Sequence, residues 1–505
     1  MFFRWIRSGA IVIVLLALAR AGWTQQKTVL TLDQAITIAL EKSYEMKTLR
    51  LSLFQADQNL RAARGRFKTN ADLSIEAPNW NEMVSEIPVP GQLPVFNTTG
   101  YTRYQANFDI NQPLPTDGSL TLRSQAYHRD VSTYDANQKL EGSEVYTSVS
   151  LRFSQPLFAI NRLKLGLKTA NLDYERTQKR YKRSELDIVY SVTQSFFGFY
   201  ESVRALEIAK ENEKQQQDLY DLAHKKFEAG LIPEVEALQM EVDLAQSRSA
   251  VLSSQGALQR SEDAFKQLIG LKLADEVSVE ADFHIDHFEV DLERAITLAL
   301  KYRTEIRENE IDVELARLGV KQADANSEIR GDVSAFYDLT GVSDPSLPYG
   351  SDWQMLWNSS REDMKRRPNN RGVVFTLSVP VWDWGVNRAE VQAAKSTLQT
   401  SELTLAEQKT TIQRQVREVV MRLRESEDQV GVLLKNQEVA QRAFDISLER
   451  FNNGDITSQE LALDRNRLVQ AKTSYLSAYV DYKLAVADLR RKTMWDFAAD
   501  RSLVE

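Results

Sequence analysis

Aspartate and histidine alternate in Asp282-Phe283-His284-Ile285-Asp286-His287, and such side chains at short spacing can converge on zinc. In an extended strand Asp282, His284 and Asp286 share one face while His287 takes the other. Two of the chain's four histidines in a linker need no ligand role, and no metal is expected there. Cysteine is absent from the chain, which removes thiolate zinc sites, thiol nucleophiles and disulfides. No Gly-rich phosphate loop, Gly-x-Ser-x-Gly or His-Glu-x-x-His occurs. A hydrolase acting through two carboxylates would need them paired as acid and base, and nothing in the spacing of the acidic residues supports that. An enzyme therefore has no residues to stand on, and no cofactor is implied. What remains is charge and apolar pattern. The run Lys179, Arg180, Lys182 and Arg183 reads as the solvated face of a helix.

The elements behind these residues are long. The chain has 505 residues with only 20 glycines and 12 prolines, about half the usual share of turn formers. Few turns serve many residues, which predicts long, weakly punctuated elements. The net charge of −8 gives no global attraction for nucleic acid. Residues 1–21 place Arg4 and Arg7 before an apolar run from Ala10 to Ala19 and a small-x-small site at Ala19-Arg20-Ala21. That is the three-part pattern of a secretory signal peptide, and the run is far short of the ~20 residues of a spanning helix. The periplasm or outer membrane of a bacterium is the expected destination.

Self-similarity organises the rest. TLDQAITIALEKSYE at 31–45 aligns with DLERAITLALKYRTE at 291–305, and the same offset of 260 sets Asp72 on Asp332 and Ser74 on Ser334. FSQPLF at 153–158 aligns with LSVPVW at 377–382, and that offset of 224 also pairs Phe227 with Phe451, Gly230 with Gly454 and Ile232 with Ile456. The chain reads as one unit built twice, over 22–270 and 271–505. Each copy is expected to hold helices (31–66; 291–328), strands (about 69–158; about 330–382), a very long helix (163–228; 387–452) and a further helix (233–270; 457–491). The long stretches lack proline and space apolar residues by threes and fours, as in Val192, Phe196, Phe199, Val203 and Leu206. Each spans ~100 Å as a helix. Gly230 and Gly454 suit the left-handed residue that closes a helix. Pro233 and the capping box Thr457-Ser458-Gln459-Glu460 restart the chain beyond them. Lys210, Glu213 and Gln217 interrupt the apolar seam; a wet interior and a loosely packed coiled coil both account for them.

The strand segments alternate with period two. Val373, Phe375, Leu377, Val379 and Val381 share one face opposite Val374, Thr376 and Ser378; Val145, Val149, Leu151 and Phe153 oppose Tyr146, Ser148, Ser150 and Arg152. Residues 72–77 and 332–338 repeat this more weakly. Segments of ~10 residues with one apolar side suit a barrel between lipid and a watery lumen, while a half-buried soluble sheet has the same alternation. The aromatics Trp80, Tyr101, Tyr104, Tyr337, Trp382 and Trp384 at segment ends favour a membrane interface. Four such strands cannot close a lipid-facing barrel, because the smallest have eight, so several chains must share one. The first copy carries an unmatched hairpin near 105–127, around Pro115-Thr116-Asp117-Gly118, whose place alternation alone leaves open.

Signal peptide, duplicated long and short helices, strand pairs at the same point of each copy, and the Q-P-L-F and V-P-V-W-D-W-G entries into the long helices together resemble the TolC-like outer-membrane efflux proteins. The resemblance implies an α+β membrane protein: a homotrimer with a transmembrane β-barrel, four strands per chain and twelve in all, continued by a periplasmic α-helical coiled-coil barrel. An equatorial belt would hold 31–43, 271–303 and 492–505. It implies an outer-membrane exit duct of a tripartite efflux or type I secretion system, docked on a periplasmic adaptor protein and an inner-membrane transporter. A periplasmic coiled-coil scaffold or adaptor is the competing reading. Carried over residue by residue, the tip motif puts adaptor docking at Gly230, Leu231, Gly454 and Asp455. It puts gate candidates at Glu460, Asp464, Phe451 and Glu236, with Ile456 where a basic residue is expected. No neutralising partner for Glu460 and Asp464 is evident within the tip motif. Arg361, Lys365, Arg366 and Arg367 fall in the loop that this topology sets outside the cell, where they suit the phosphates of lipopolysaccharide or simple solvation.

Overall fold

The computed structural model describes residues 28–87, 91, 95–135, 138–281, 289–326 and 328–504. The leader pattern of 1–21 and the run 282–287 lie outside them. The elements are β1 (Thr28–Leu30), α1 (Leu32–Lys42), α2 (Tyr44–Gly65), β2 (Asn70–Ile87), β3 (Val95–Pro113), β4 (Ser119–Asp135), β5 (Gln138–Leu157), α3 (Arg162–Glu228) and α4 (Glu234–Ile269). They continue with β6 (Val277–Val279), α5 (Leu292–Tyr302), α6 (Thr304–Ala325), β7 (Arg330–Val342), α7 (Trp353–Arg366), β8 (Asn370–Ser378), α8 (Val386–Asn453), α9 (Ser458–Thr493), β9 (Trp495–Asp496) and β10 (Arg501–Ser502). The duplication is visible in the bounds. α5 and α6 begin and end 260 residues after α1 and α2, and α9 repeats α4 at 224. α3 and α8 are 67 and 68 residues long. Among the described residues no helix is long and apolar enough to cross a membrane.

The chain forms two compact units, and each draws segments from both copies. One comprises Leu53–Gln178 and Glu308–Leu405. It holds a single antiparallel sheet in the order β2-β3-β4-β5-β7-β8. The expectation of four strands per chain is corrected here. The hairpin β3–β4 is interposed between β2 and β5, with Asn107 opposite Ser74 and Gln125, and Ser148 opposite Gln125 in turn. β7 joins the second copy to the first, with Ser334 opposite Ser154 and Val374.

That register gives the sheet two chemically distinct faces. One carries Leu73 and Ile75, then Phe108 and Ile110, Leu120 and Leu122, Val149 and Leu151, Val333 and Ala335, and Val373 and Phe375 from successive strands. The other is polar and cross-linked: the Arg123 guanidinium donates to Asp109 at 2.6 and 3.0 Å, Arg103 meets Glu76 at 3.3 Å, and Arg129 meets Glu144 at 2.6 Å. The segment expected as a loop around Arg361–Arg367 is helical instead. Asp352 caps α7 by accepting from the Gln354 amide. Leu356 and Ser360 of α7 are fully buried, and the Ser360 hydroxyl pairs with Thr147 of β5 at 2.8 Å. Gly341 permits this approach, because a Cβ there would collide with the Ser360 carbonyl.

The other unit comprises the described residues of 28–52, 179–307 and 406–504. Its main core gathers Val192, Phe196 and Phe199 of α3 with Phe265 and Ile269 of α4, Tyr479 of α9, and Ala35 and Ala39 of α1. The stripe read from sequence is thus the packing seam. β1 and β6 pair in parallel beside it. The tail returns to α5, where Arg294 meets Asp500 at 2.5 Å and Tyr302 packs on Trp495.

Candidate functional site

The ends of the two long helices close in the same way. Gly230 has φ +71° and Gly454 φ +85°, the left-handed region that a side chain strains. The Leu231 amide donates to the Lys226 carbonyl at 2.8 Å, and the Asp455 amide to the Arg450 carbonyl at 2.9 Å. These bonds, with Gly230 to Phe227 and Gly454 to Phe451, close each helix in a Schellman motif. Leu231 is left 72% exposed, and Asp455 is exposed as well.

Beneath the turns lies a small apolar cluster of Leu219, Ala223, Met240, Phe444, Phe451, Leu461 and Leu468. Phe451, one of the gate candidates, is 1% exposed in it, its ring packed inside the chain's own helix bundle. Its first-copy counterpart Phe227 stays exposed. Ile232 and Ile456 pack against the same cluster. An apolar residue at 456 therefore extends the core of the tip.

The cation that ties the tip together was not read from the sequence. Lys226, in the last turn of α3, donates to the Phe451 carbonyl at 2.6 Å and the Asn452 carbonyl at 3.2 Å, and its ammonium lies 4.5 Å from the Phe451 ring centroid. It thereby satisfies the open carbonyl end of α8 and complements that helix's dipole. In the opposite sense, Glu236 at the start of α4 accepts from the Ser458 amide at 3.5 Å, at the positive end of α9. The two copies clasp each other with one cation and one anion.

The acids are differently engaged. Glu460 is exposed, and its carboxylate accepts from the Thr457 amide at 3.2 Å while the Thr457 hydroxyl accepts from the Glu460 amide. It is a capping box. Asp464 accepts from the Ser447 hydroxyl at 2.6 Å and from Arg467 at 3.0 Å. Its charge is offset within the chain by Arg467, which lies beyond the tip motif. Deeper in the tip, Arg465 is buried with Asp243 as its counter-ion among the described residues, at 3.7 Å. Burial pushes this guanidinium below its ordinary pKa, and Asp243 opposes the shift.

In the basic cluster of α7, Arg367 is bound to Asp363 at 2.7 Å and Arg366 approaches Glu362 at 3.5 Å. Arg361 and Lys365 are exposed and form no ion pair among the described residues. No group of three His, Asp or Glu among the described residues is placed to hold a metal ion.

A polar, ion-paired sheet face backed by an apolar one, with long helices from a duplicated sequence, is an arrangement found in known proteins. The family model described as outer membrane efflux protein matches residues 119–271 and 295–493. The chain belongs to the outer membrane efflux protein family. No match is found among curated protein sequences. Among solved structures, this efflux protein is similar to the CmeC outer membrane channel of Campylobacter jejuni, with a TM-score of 0.69 at 13% identity over 92% of this chain and 85% of that one. It is also similar to VceC of Vibrio cholerae, with a TM-score of 0.66 at 14% identity over 92% and 95%. For the open state of the MtrE channel of Neisseria gonorrhoeae the values are 0.64, 13%, 92% and 89%. At these identities the structures establish the fold, which is that of outer-membrane channels. The family establishes the role: an exit duct located in the outer membrane, with a helical extension into the periplasm.

Proposed function

We propose that this efflux protein works as a homotrimer that conducts substrates passively from an inner-membrane transporter, through a periplasmic adaptor, across the outer membrane, with no catalysis of its own. The observation that carries the reading is the sheet. It has one mainly apolar face, one ion-paired polar face and two strands, β2 and β8, each with a partner on one side only among the described residues. One chain with six strands falls below the smallest lipid-facing barrel, so copies must complete each other. The threefold number follows from the family resemblance.

Adaptor docking at Gly230, Leu231, Gly454 and Asp455 is supported by the turns that expose Leu231 beside a side-chain-free backbone. The gate reading narrows to a ring of Glu460, one per chain, since Asp464 is paired; Glu236 and Phe451 serve the clasp that holds the tips. Arg361 and Lys365, with Arg366 and Arg367 behind them, suit the phosphates of lipopolysaccharide in the outer leaflet. The test is fractionation followed by native mass measurement. The protein should stay in outer membranes through salt and carbonate washing and leave detergent extraction as a trimer. Release by carbonate, or a stable monomer or dimer, overturns the reading.

A further inference from the structure

We propose that the hairpin β3–β4 is part of the barrel wall, so that each chain supplies six strands and three chains enclose an eighteen-stranded barrel, with β8 of one copy paired to β2 of the next at Ser378 opposite Ser74. The count of eighteen rests on the trimeric reading above; the six strands per chain do not.

The hairpin cannot be an appendage on the sheet, because β2 reaches the rest of the sheet only through it. β2 pairs with β3 from Asn70 to Ile87, β3 with β4 from Thr98 to Pro113, and β4 with β5 from Ser119 to Asp135. Its side chains extend both faces, with Ser124 opposite Phe108 and Gln112 opposite Leu120 as polar points on the apolar one. Ala106, Phe108 and Ile110 lie opposite Ile75, Leu73 and Ala71 on the apolar side, and Leu120 and Leu122 lie opposite Phe153 and Leu151. On the polar side Arg123 and Asp109 form an ion pair within the hairpin, and Asn107 donates to Ser74 across to β2 at 3.2 Å.

The seam between copies follows from the duplication. β7 repeats β2 at an offset of 260, as Ser334 repeats Ser74, and β8 repeats β5 at 224, as Ser378 repeats Ser154. Within the chain β5 lies beside β7, with Ser154 opposite Ser334, Phe153 opposite Ala335 and Gln155 opposite Val333. Carried to the equivalent strands, this register sets Ser378 opposite Ser74, Leu377 opposite Ile75 and Val379 opposite Leu73 of the next copy. Apolar residues then meet apolar ones on the lipid side and hydroxyls meet on the lumen side. A slip of one residue would put each against the wrong face. An even number of strands also lets β8 meet β2 antiparallel, so every copy closes on the next by the same pairing.

Barrel diameter grows with strand number. At ~4.8 Å between strands and ~40° of tilt, eighteen strands give about 36 Å across the backbone against about 24 Å for twelve. That is the size at which barrels leave an open aqueous channel.

The chain has no cysteine, so an introduced pair reports alone. In the full-length protein, S74C with S378C should oxidise in outer membranes to chains linked in twos and threes. S74C with T376C, two residues out of register, should link several-fold less, since opposed residues lie 4.5–5.5 Å apart and diagonal ones ~7–8 Å. Cryo-electron microscopy of the wild-type protein in lipid nanodiscs should show eighteen strands. A trimer with twelve strands and the hairpin off the wall would overturn this inference and leave the trimeric duct standing. Cross-linking that prefers T376C would overturn the register. A particle that is not a trimer would overturn the count together with the reading it rests on.

Discussion

At the scale of single residues, the tip is held by few groups, and each carries much of the load. Lys226 makes charge-assisted contacts to two carbonyls, an arrangement worth about 1.5–3 kcal/mol when fully engaged. Lys226→Met keeps the stem and removes the charge. It should lower the stability of the tip by about 1–2 kcal/mol and raise single-channel conductance of the trimer in planar bilayers. Unchanged conductance would place the clasp outside the gate. Arg465 behaves oppositely to an ordinary surface arginine. Asp243→Asn leaves a buried cation without a counter-ion, a change costing about 3–5 kcal/mol, whereas Arg465→Met should be neutral or stabilising; urea unfolding distinguishes the two. Glu305 supplies a pH dependence. Burial raises its pKa, but the hydrogen bond and charge of Arg303 outweigh that, and the net shift is downward from 4.5. A lowered carboxyl pKa stabilises the fold above the ordinary value and loses that contribution as pH falls through the folded one. Glu305→Gln should therefore cost stability at neutral pH and flatten the acid limb of the melting-temperature profile below about pH 4.5. Phe451 shows what a sequence withholds at this scale. Its position three residues before Gly454 was plain, but which neighbour an aromatic side chain meets depends on helices hundreds of residues away.

At the scale of elements, the helices were legible because long stretches without proline leave the backbone one regular choice, and α3, α4 and α8 end at Gly230, Gly270 and Gly454. The glycine turns allow a direct check. A Cβ at Gly230 or Gly454 would meet nothing within 4 Å, so Gly230→Ala and Gly454→Ala should each cost about 1 kcal/mol from the left-handed backbone alone. A much larger loss of melting temperature would mean that the turns touch a neighbour in the assembly. Strand number was not legible. β3 and β4 alternate through Asn, Thr, Gln and Tyr more than through aliphatics, and pairing is a property of partners that the local pattern does not name. α7 was hidden for a related reason: its charged second half resembles a loop, and what anchors it, buried Leu356 and Ser360 together with Asp363 accepting from the Val342 amide, depends on strands distant in sequence.

At the scale of the whole molecule, three Glu460 carboxylates near one narrow mouth would attract cations and repel anions. Glu460→Gln keeps the capping box, because glutamine serves at that position, and should reduce cation selectivity without loosening α9. Asp464→Asn should change the reversal potential far less, since Arg467 already offsets that charge. Equal effects of the two would return Asp464 to the gate. The even, antiparallel strand count bears on biogenesis too. Asn70, Leu157, Arg330 and Ser378, where the sheet joins its flanking helices, all lie at one end of the strands. During insertion from the periplasm no helix on that side has to be carried through the bilayer. The cargo that must pass is the set of opposite turns, and the heaviest is the stretch from Ser343 to Pro368, with Arg361, Lys365, Arg366 and Arg367 in it. The slow step of insertion should therefore be the delivery of that basic segment to the cell surface, with the anionic outer leaflet drawing it across.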